Sequence, residues 1–137
     1  MLFFFLPLLG AEENAAADPA SLIGITLDDL LRRFGTPRSV HAVRGIEAWQ
    51  DDVVFVYPHG NMYIHRDRVW KIRIPSARGI SLGDSRAVVS LILDSRAETR
   101  GTSIFYPINE FAWPLMLRLD FDAANRVEAI FIHRIHF

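Results

Sequence analysis

Two short motifs each occur twice in this chain, in the same order and at nearly the same spacing. Residues 24–29 (GITLDD) are matched 55 positions later by residues 79–84 (GISLGD). Residues 68–74 (RVWKIRI) are matched 58 positions later by residues 126–132 (RVEAIFI). One match of this kind arises easily by chance, but two in the same order indicate an internal duplication. The chain is therefore predicted to contain two copies of one small unit, residues 24–75 and 79–137.

Each copy of the first motif has the features of a helix start. Thr26 and Ser81 are each followed three residues later by an aspartate, which resembles a capping box. In that arrangement the hydroxyl accepts a hydrogen bond from a free backbone amide. Helix one is predicted over residues 27–34 and ends at the Gly-Thr-Pro sequence beginning at Gly35. Helix two is predicted over residues 82–94.

The remaining segments have the composition and alternation of β-strands. Residues 115–121 (LMLRLDF) alternate between apolar and other side chains, which is typical of a strand with one buried face. The Pro-His-Gly sequence at 58–60 separates two strand-like runs and predicts a hairpin. The predicted strands are residues 53–57, 61–65, 69–74, 102–106, 115–121 and 127–133, with weaker candidates at 39–43 and 47–50.

Helices beside a largely antiparallel sheet predict the α+β class, with both repeats in one compact domain and the helices on one sheet face. Alternate residues of a strand point to opposite faces, so strand parity assigns side chains to the two faces. The helix-covered face is predicted to carry Trp70, Ile72, Ile74, Leu117, Leu119, Ile130 and Ile132.

The opposite sheet face is the candidate partner-binding surface. Aromatic and arginine side chains are enriched among the residues that dominate protein interfaces, and such a face suits a partner that is partly apolar and partly acidic. Two alternatives remain open: a homodimer buries this face, or the segment at 95–109 folds over it. The predicted partner-binding residues are Phe55, Tyr57, Tyr63, His65, Arg73, Arg118, Phe131 and His133.

Charge and cysteine content narrow the function classes. The chain has 15 basic and 16 acidic residues, so it lacks the electrostatic signature of a nucleic-acid-binding protein. Fourteen of the basic residues are arginine, and Lys71 is the only lysine. The absence of cysteine excludes disulfides, thiol chemistry, zinc ribbons and a cysteine-linked lipid anchor.

The first 17 residues are predicted to be a signal peptide. Residues 2–9 (LFFFLPLL) are apolar but too few to span a bilayer, and three alanines at 15–17 supply the small residues of a cleavage site. An N-terminal strand is the alternative. Residues 18–23 are interpreted as a linker. With this leader, the protein is predicted to be periplasmic or secreted, without a membrane span.

The sequence contains no recognisable catalytic or metal-binding motif. A nucleophile elbow, a phosphate-binding P-loop, a zinc-protease helix and a dinucleotide fingerprint are all absent. His133 and His136 are three apart, which places them on opposite faces of a strand. Asp120 and Asp122 share one side, but Asp122 is better explained as the cap of a turn. No catalytic residue, metal or cofactor is predicted, and a catalytic triad dispersed in sequence stays open.

The helix-start motif, the Phe-Gly-Thr-Pro helix end at 34–37 and the Arg-Val strands together resemble a known fold. They are similar to the β-lactamase-inhibitor-protein-like fold, a tandem repeat, and to the small outer-membrane lipoprotein of the β-barrel assembly machinery, a single copy. The tandem arrangement favours the first. This resemblance implies an exported, non-catalytic protein-binding module, such as an enzyme inhibitor or adaptor. A structural component of envelope or outer-membrane assembly and a small hydrolase are the alternatives.

Overall fold

The computed structural model describes residues 18–45 and 52–135. A 3₁₀ turn at Pro19–Leu22 precedes two helices, α1 (Leu27–Phe34) and α2 (Arg86–Ile92). The signal peptide predicted at 1–17, the strand candidate at 47–50 and His136 lie outside the described residues. The strands are β1 (Ser39–Val43), β2 (Asp52–Tyr57), β3 (Gly60–His65), β4 (Arg68–Ile74), β5 (Ser76–Ala77), β6 (Ile80–Ser81), β7 (Glu98–Arg100), β8 (Ser103–Ile108), β9 (Leu115–Phe121) and β10 (Val127–Arg134).

Eight of the strands form one antiparallel sheet in the order β1-β2-β3-β4-β10-β9-β8-β7, and β5 pairs with β6 in a small ribbon. The chain moves inward from one edge to β4, crosses to the opposite edge, and moves inward again to β10. These two central strands pair directly, with Ile72 opposite Ile132. The predicted α+β class, with two helices and a large antiparallel sheet, is confirmed. In the described part of the chain, no helix has the length and apolarity needed to cross a membrane.

The core lies between the helices and one face of the sheet. Each helix contributes one fully buried apolar residue, Leu30 in α1 and Val89 in α2. Both belong to one cluster with the alternate, inward-pointing residues of the central strands. Burying such side chains contributes about 1.5–3 kcal/mol each, so this cluster dominates the stability of the fold. The fully buried strand residues in it are Met62, Val69, Ile72, Ile80, Ile108, Leu115, Leu117, Leu119, Ile130 and Ile132.

The sequence predicted the cap of α1 correctly but not the cap of α2. Thr26 caps α1 as expected, since its hydroxyl accepts a hydrogen bond from the Asp29 amide at 3.1 Å. The prediction that Ser81 caps helix two is wrong. Ser85 is the cap and accepts from the Val88 amide at 3.2 Å, while the Ser81 amide donates to the Asp84 carboxylate.

Helix α2 is consequently shorter than the predicted span of 82–94. Gly83 has φ +90°, a left-handed backbone that a helix does not continue through, so the helix begins only after it. From Thr26 to Ser85 the two caps are 59 residues apart (85 − 26), which is closer to the 58-residue spacing of the strand motifs than the 55 first inferred.

Strands β4 and β10 each contain a bulge at the third residue of the repeated Arg-Val motif. Tyr63 pairs with Lys71 and Ile64 with Val69, so Trp70 is the extra residue in β4. In β10 the pairing skips Glu128 in the same way. A bulge reverses the parity of the residues before it. The prediction that Trp70 lies on the helix-covered face is therefore wrong, and Val69 is buried there instead.

The β2–β3 hairpin also differs from the predicted one. Tyr57 pairs with Gly60, so its loop has two residues rather than three. Phe55 pairs with the fully buried Met62 and packs against the core, and Tyr57 is 4% exposed and donates its hydroxyl to the Gly35 carbonyl at 2.9 Å. Placing Phe55 and Tyr57 on the face opposite the helices was therefore wrong.

Matching hydrogen bonds tie each helix start to a central strand. The Gly24 amide donates to the Val69 carbonyl at 2.7 Å, and the Gly83 amide donates to the Val127 carbonyl at 2.8 Å. In return, the guanidinium of Arg68 donates to the Gly24 carbonyl at 2.7 Å, and that of Arg126 to the Gly83 carbonyl at 2.8 Å. Each repeated Arg-Val pair thus fixes the entry of one helix onto the sheet.

Candidate binding face

The sheet face away from the helices brings together six of the eight predicted partner-binding residues, and we call it the open face. Its remaining members were not among those predictions. Neither α1 nor α2 packs on this face, because their buried residues join the core on the other side. The open face includes Asp52, Tyr63, His65, Trp70, Lys71, Arg73, Phe105, Met116, Arg118, Asp120, Phe131 and His133.

Rings and cations alternate in one row across four adjacent strands of this face, β4, β10, β9 and β8. Arg73 on β4 is opposite Phe131 on β10, which is opposite Arg118 on β9, which is opposite Phe105 on β8. The guanidinium carbons lie over these rings at 5.5–5.9 Å from the ring centroids. Each such contact contributes about 0.5–1 kcal/mol at an exposed site, and together they hold long arginine side chains in place.

Lys71 lies at the centre of an aromatic cage. Its ammonium nitrogen is 4.7 Å from the ring centroid of Tyr63, 4.8 Å from that of Phe131 and 5.5 Å from that of Trp70. Trp70 reaches the cage because of the β4 bulge, and its indole nitrogen donates to the Asp52 carboxylate at 3.0 Å. The only lysine of the chain is therefore held over three rings rather than extended into solvent.

The three rings attract the charged form of Lys71, but its partial burial disfavours that form. Burial lowers the pKa of Lys71 below its ordinary value, and Arg118 and Arg73 lower that pKa further, against the opposing effect of Asp52 and Asp120. At neutral pH an ammonium group still carries its proton unless its pKa falls by several units. Among the described residues, the cations of the open face therefore outnumber the carboxylates that oppose them, which favours contact with an anion.

The two predicted arginines have different surroundings. Arg118 is held by Asp120, with its Nε and Nη2 atoms donating at 2.8 and 3.2 Å, and Asp120 also accepts from the Ser103 hydroxyl at 2.6 Å. Arg73 is exposed, and none of the hydrogen bonds between described residues involves its guanidinium. Arg73 is therefore the group on this face best able to offer a planar fork to a carboxylate.

The two histidines of the face also differ. The His133 ring is half-buried, contacts Trp70 edge-on at 6.3 Å between centroids, and has its Nδ1 2.8 Å from the Arg134 carbonyl oxygen. Burial is the largest cause of a pKa of His133 below the usual 6.5. His65 has its Nδ1 3.9 Å from the Asp52 carboxylate. No group of three or more potential metal ligands occurs within residues 18–45 and 52–135.

The segment at 95–109, one of the two alternatives for burying this face, does not fold over it. Its strands β7 and β8 extend the sheet beyond β9 and lie within it. Tyr106 points into the core, where its hydroxyl donates to Asp94 at 2.9 Å, and Trp113 also packs on the core side. Unlike Tyr106 and Trp113, Phe105 lies on the open face, where it pairs with Arg118. Burial by residues 95–109 is thus wrong as an alternative for this face.

Sequence reasoning missed Trp70 and Phe105. Trp70 was assigned by regular alternation, and nothing in the motif itself reveals that β4 contains a bulge. Phe105 lies in a strand that was predicted, but its position beside Arg118 depends on the register of β8 against β9. Neither residue can be assigned to the open face until the register of its strand against the neighbouring strands is known.

Three solved structures with a similar fold are bacterial proteins. An extracellular protein containing an SCP domain from Bacillus anthracis has a TM-score of 0.54 and 14% identity, and a cysteine-rich secretory protein from Staphylococcus aureus has a TM-score of 0.55 and 10% identity. Each match covers 84% of this chain and 45% of the other, so this chain spans just under half of those proteins.

A DUF4309 family protein from Bacillus subtilis has a TM-score of 0.50 and 17% identity, over 80% of this chain and 78% of its own. No family model and no curated protein sequence matches the chain. At these identities the likeness concerns the fold alone: an α+β arrangement that recurs in proteins with distant sequences.

Proposed function

We propose that this protein is an exported, non-catalytic module that binds a protein partner through the open face. The observation that carries the proposal is the row of alternating rings and cations from Arg73 to Phe105, with caged Lys71 beside it. Aromatic residues and arginine are the groups that most often dominate protein interfaces. A row of them on one sheet face is more than the folding of the chain requires.

The partner surface should be partly apolar and partly acidic. Lys71, Arg73 and Arg118 outnumber Asp52 and Asp120 on the central part of the face, three to two, and Arg73 has no hydrogen-bonding acceptor among the described residues. The rings supply apolar area next to each cation. An acidic side chain of the partner would meet Arg73 without displacing an internal ion pair, so the contact would add to affinity rather than exchange one pair for another.

Export is supported by two independent observations. The apolar leader ahead of three alanines has the composition of a signal peptide. Two of the similar structures are described as an extracellular protein and a secretory protein. We extend that location to this chain, periplasmic or secreted, as part of the proposal.

We also propose that the two halves of the sheet, each with its helix, are copies of one repeated unit. The matched bonds of Gly24 with Val69 and of Gly83 with Val127, and bulges at the same motif position in β4 and β10, support a duplication with an offset of 58–59 residues. It is consistent with the resemblance to the β-lactamase-inhibitor-protein-like fold, whose members bind proteins. An inhibitor or adaptor role follows from that resemblance.

A binding assay with paired variants tests the proposal. The partner is first recovered from an envelope or secreted extract and identified; recovery of β-barrel assembly subunits would favour a structural role in envelope assembly over an inhibitor or adaptor. Arg73→Ala combined with Arg118→Ala should weaken binding by about 2 kcal/mol or more, roughly thirtyfold. Arg73→Lys keeps the charge but loses the fork, and it should recover only part of the loss.

Arg32→Ala is the matched control, because Arg32 is an exposed arginine on α1 and its partners are Asp28 and Asp29 of the same helix. It should leave affinity unchanged. If Arg32→Ala weakens binding as much as the double variant, general electrostatics explain the interaction. If the double variant binds normally with an intact circular dichroism spectrum, the partner docks elsewhere. Concentration-dependent sedimentation of the protein alone, if the double variant abolishes it, would instead identify the open face as a homodimer interface.

A further inference from the structure

A concave site lies on the other side of the sheet from the open face. It is a cavity of about 520 Å³ between the 3₁₀ turn at Pro19–Leu22, the last turn of α1, the beginning of β3 and the end of β4. This volume falls within the range of about 300–1,000 Å³ that is typical of small-molecule sites. Nothing in the proposed partner contact involves this cavity.

The cavity is apolar along most of its length. Met62, fully buried, and Ile74 belong to the core and contribute to its lining, together with Leu22. Phe34 adds an aromatic wall, since its ring lies 4.6 Å from that of His59, measured between centroids. Burial lowers the pKa of His59 below its ordinary value, so the imidazole is neutral at physiological pH and the wall stays uncharged.

Among the described residues at the cavity, one cation has no side-chain acceptor. Asp18 is occupied: one carboxylate oxygen accepts from the Ala20 amide at 3.0 Å and the other lies 3.4 Å from the Arg78 guanidinium. Arg33 is exposed and lines the cavity, and no acceptor among the described residues hydrogen-bonds its guanidinium. The neighbouring Arg32, by contrast, is paired with two aspartates. An apolar cavity with one exposed guanidinium at its rim, which no described side chain engages, matches a ligand with an apolar chain and one anionic end.

We propose that this cavity binds a single-chain alkyl carboxylate, with its chain against Leu22, Phe34, Met62 and Ile74 and its carboxylate on Arg33. The apolar chain gains from removal of its methylenes from water, at about 0.8 kcal/mol for each one buried. The guanidinium fixes the orientation, because it is the natural bidentate partner of a carboxylate.

Calorimetric titration with sodium dodecanoate, kept below its micelle concentration, tests this site in the full-length protein as isolated. Saturable binding of one molecule per chain is expected. Arg33→Gln should weaken dodecanoate binding about tenfold, the effect of losing a charge-assisted hydrogen bond, and should leave binding of the uncharged dodecanol unchanged. Ser76→Trp, which fills the cavity from an exposed lining position, should abolish binding of both.

Arg32→Gln is the matched control, since it removes an adjacent arginine that does not line the cavity. Chemical shift changes should map to Leu22, Phe34 and Ile74. The proposal is overturned if dodecanoate does not bind saturably, if Arg32→Gln weakens binding as much as Arg33→Gln does, or if the shifts map to the open face. Because the two sites lie on opposite sides of the sheet, failure here leaves the partner-binding test standing, and the converse also holds.

Discussion

A methyl group placed on Gly24 would collide with the indole ring of Trp113. A Cβ built at Gly24 lies 2.0 Å from Cζ2 and 2.6 Å from Cη2 of that ring, far inside van der Waals contact. Trp113 packs against the core, and the guanidinium carbon of Arg134 lies 4.7 Å from its ring centroid, so the ring cannot move without losing other contacts. Gly24→Ala must therefore displace a large, partly buried side chain.

Gly83 provides an internal reference for the size of this effect. It makes the same backbone contact with β10 that Gly24 makes with β4, and its φ of +90° is close to the +95° of Gly24, yet no atom lies within 4 Å of a Cβ built there. Gly83→Ala should therefore cost only the left-handed backbone penalty, about 1–2 kcal/mol. Gly24→Ala adds an overpacking penalty of about 1–3 kcal/mol, for a total of roughly 2–5 kcal/mol.

Urea unfolding followed by circular dichroism measures both losses, and a double-mutant cycle identifies their cause. In a Trp113→Ala background the ring is gone, so Gly24→Ala should cost no more than Gly83→Ala does in the native background. Equal losses for Gly24→Ala and Gly83→Ala in the native background would refute the collision. An excess loss that persists without the ring would refute Trp113 as its origin.

Other outcomes follow from the same contacts. Thr26→Ala and Ser85→Ala should each lower the free energy of unfolding by about 1 kcal/mol in urea titrations, whereas Ser81→Ala should change it by less than about 0.5 kcal/mol, and the reverse ranking would contradict the observed helix starts. Because the pKa of His133 is lowered in the folded chain, the unfolded chain takes up the proton first as pH falls. Stability should therefore decline below about pH 6.5, and His133→Gln should flatten that decline in urea midpoints measured at several pH values. N-terminal sequencing of the cell-purified protein should begin after residue 17, and an intact leader on the mature protein would contradict export.

Local signals in the sequence were reliable where the structure depends on local bonds. The cap of α1 was predicted because a hydroxyl, an aspartate and a downstream Gly-Thr-Pro lie together, and every one of these interactions is within a few residues. At the second helix start the cap is Ser85, four residues after the predicted Ser81. Placing the cap there requires knowing that the Gly83 amide bonds to the Val127 carbonyl of β10, which is a tertiary contact.

Alternation assigned residues to the open face correctly within regular strands, but it failed at a bulge and at a hairpin loop. Arg73, Arg118 and Phe131 follow uninterrupted alternation, so parity placed them on the correct side. Trp70 was misplaced by a bulge, and Phe55 by a hairpin whose loop is one residue shorter than its turn residues suggested. A change of one residue in either element moves side chains to the other face, and neither change leaves a mark in composition.

The direct pairing of β4 with β10 has a consequence for the order of folding. Ile72 and Ile132 are opposite each other but 60 residues apart in sequence (132 − 72), so the middle of the sheet forms only after a long loop has closed. Until then β4 keeps an unpaired edge with the apolar residues Ile72 and Ile74 beside it, a state prone to association with other chains. Loss of β7 would remove only an edge strand of the sheet. Loss of β10 would separate β1–β4 from β7–β9, because β10 is the strand that joins these two groups.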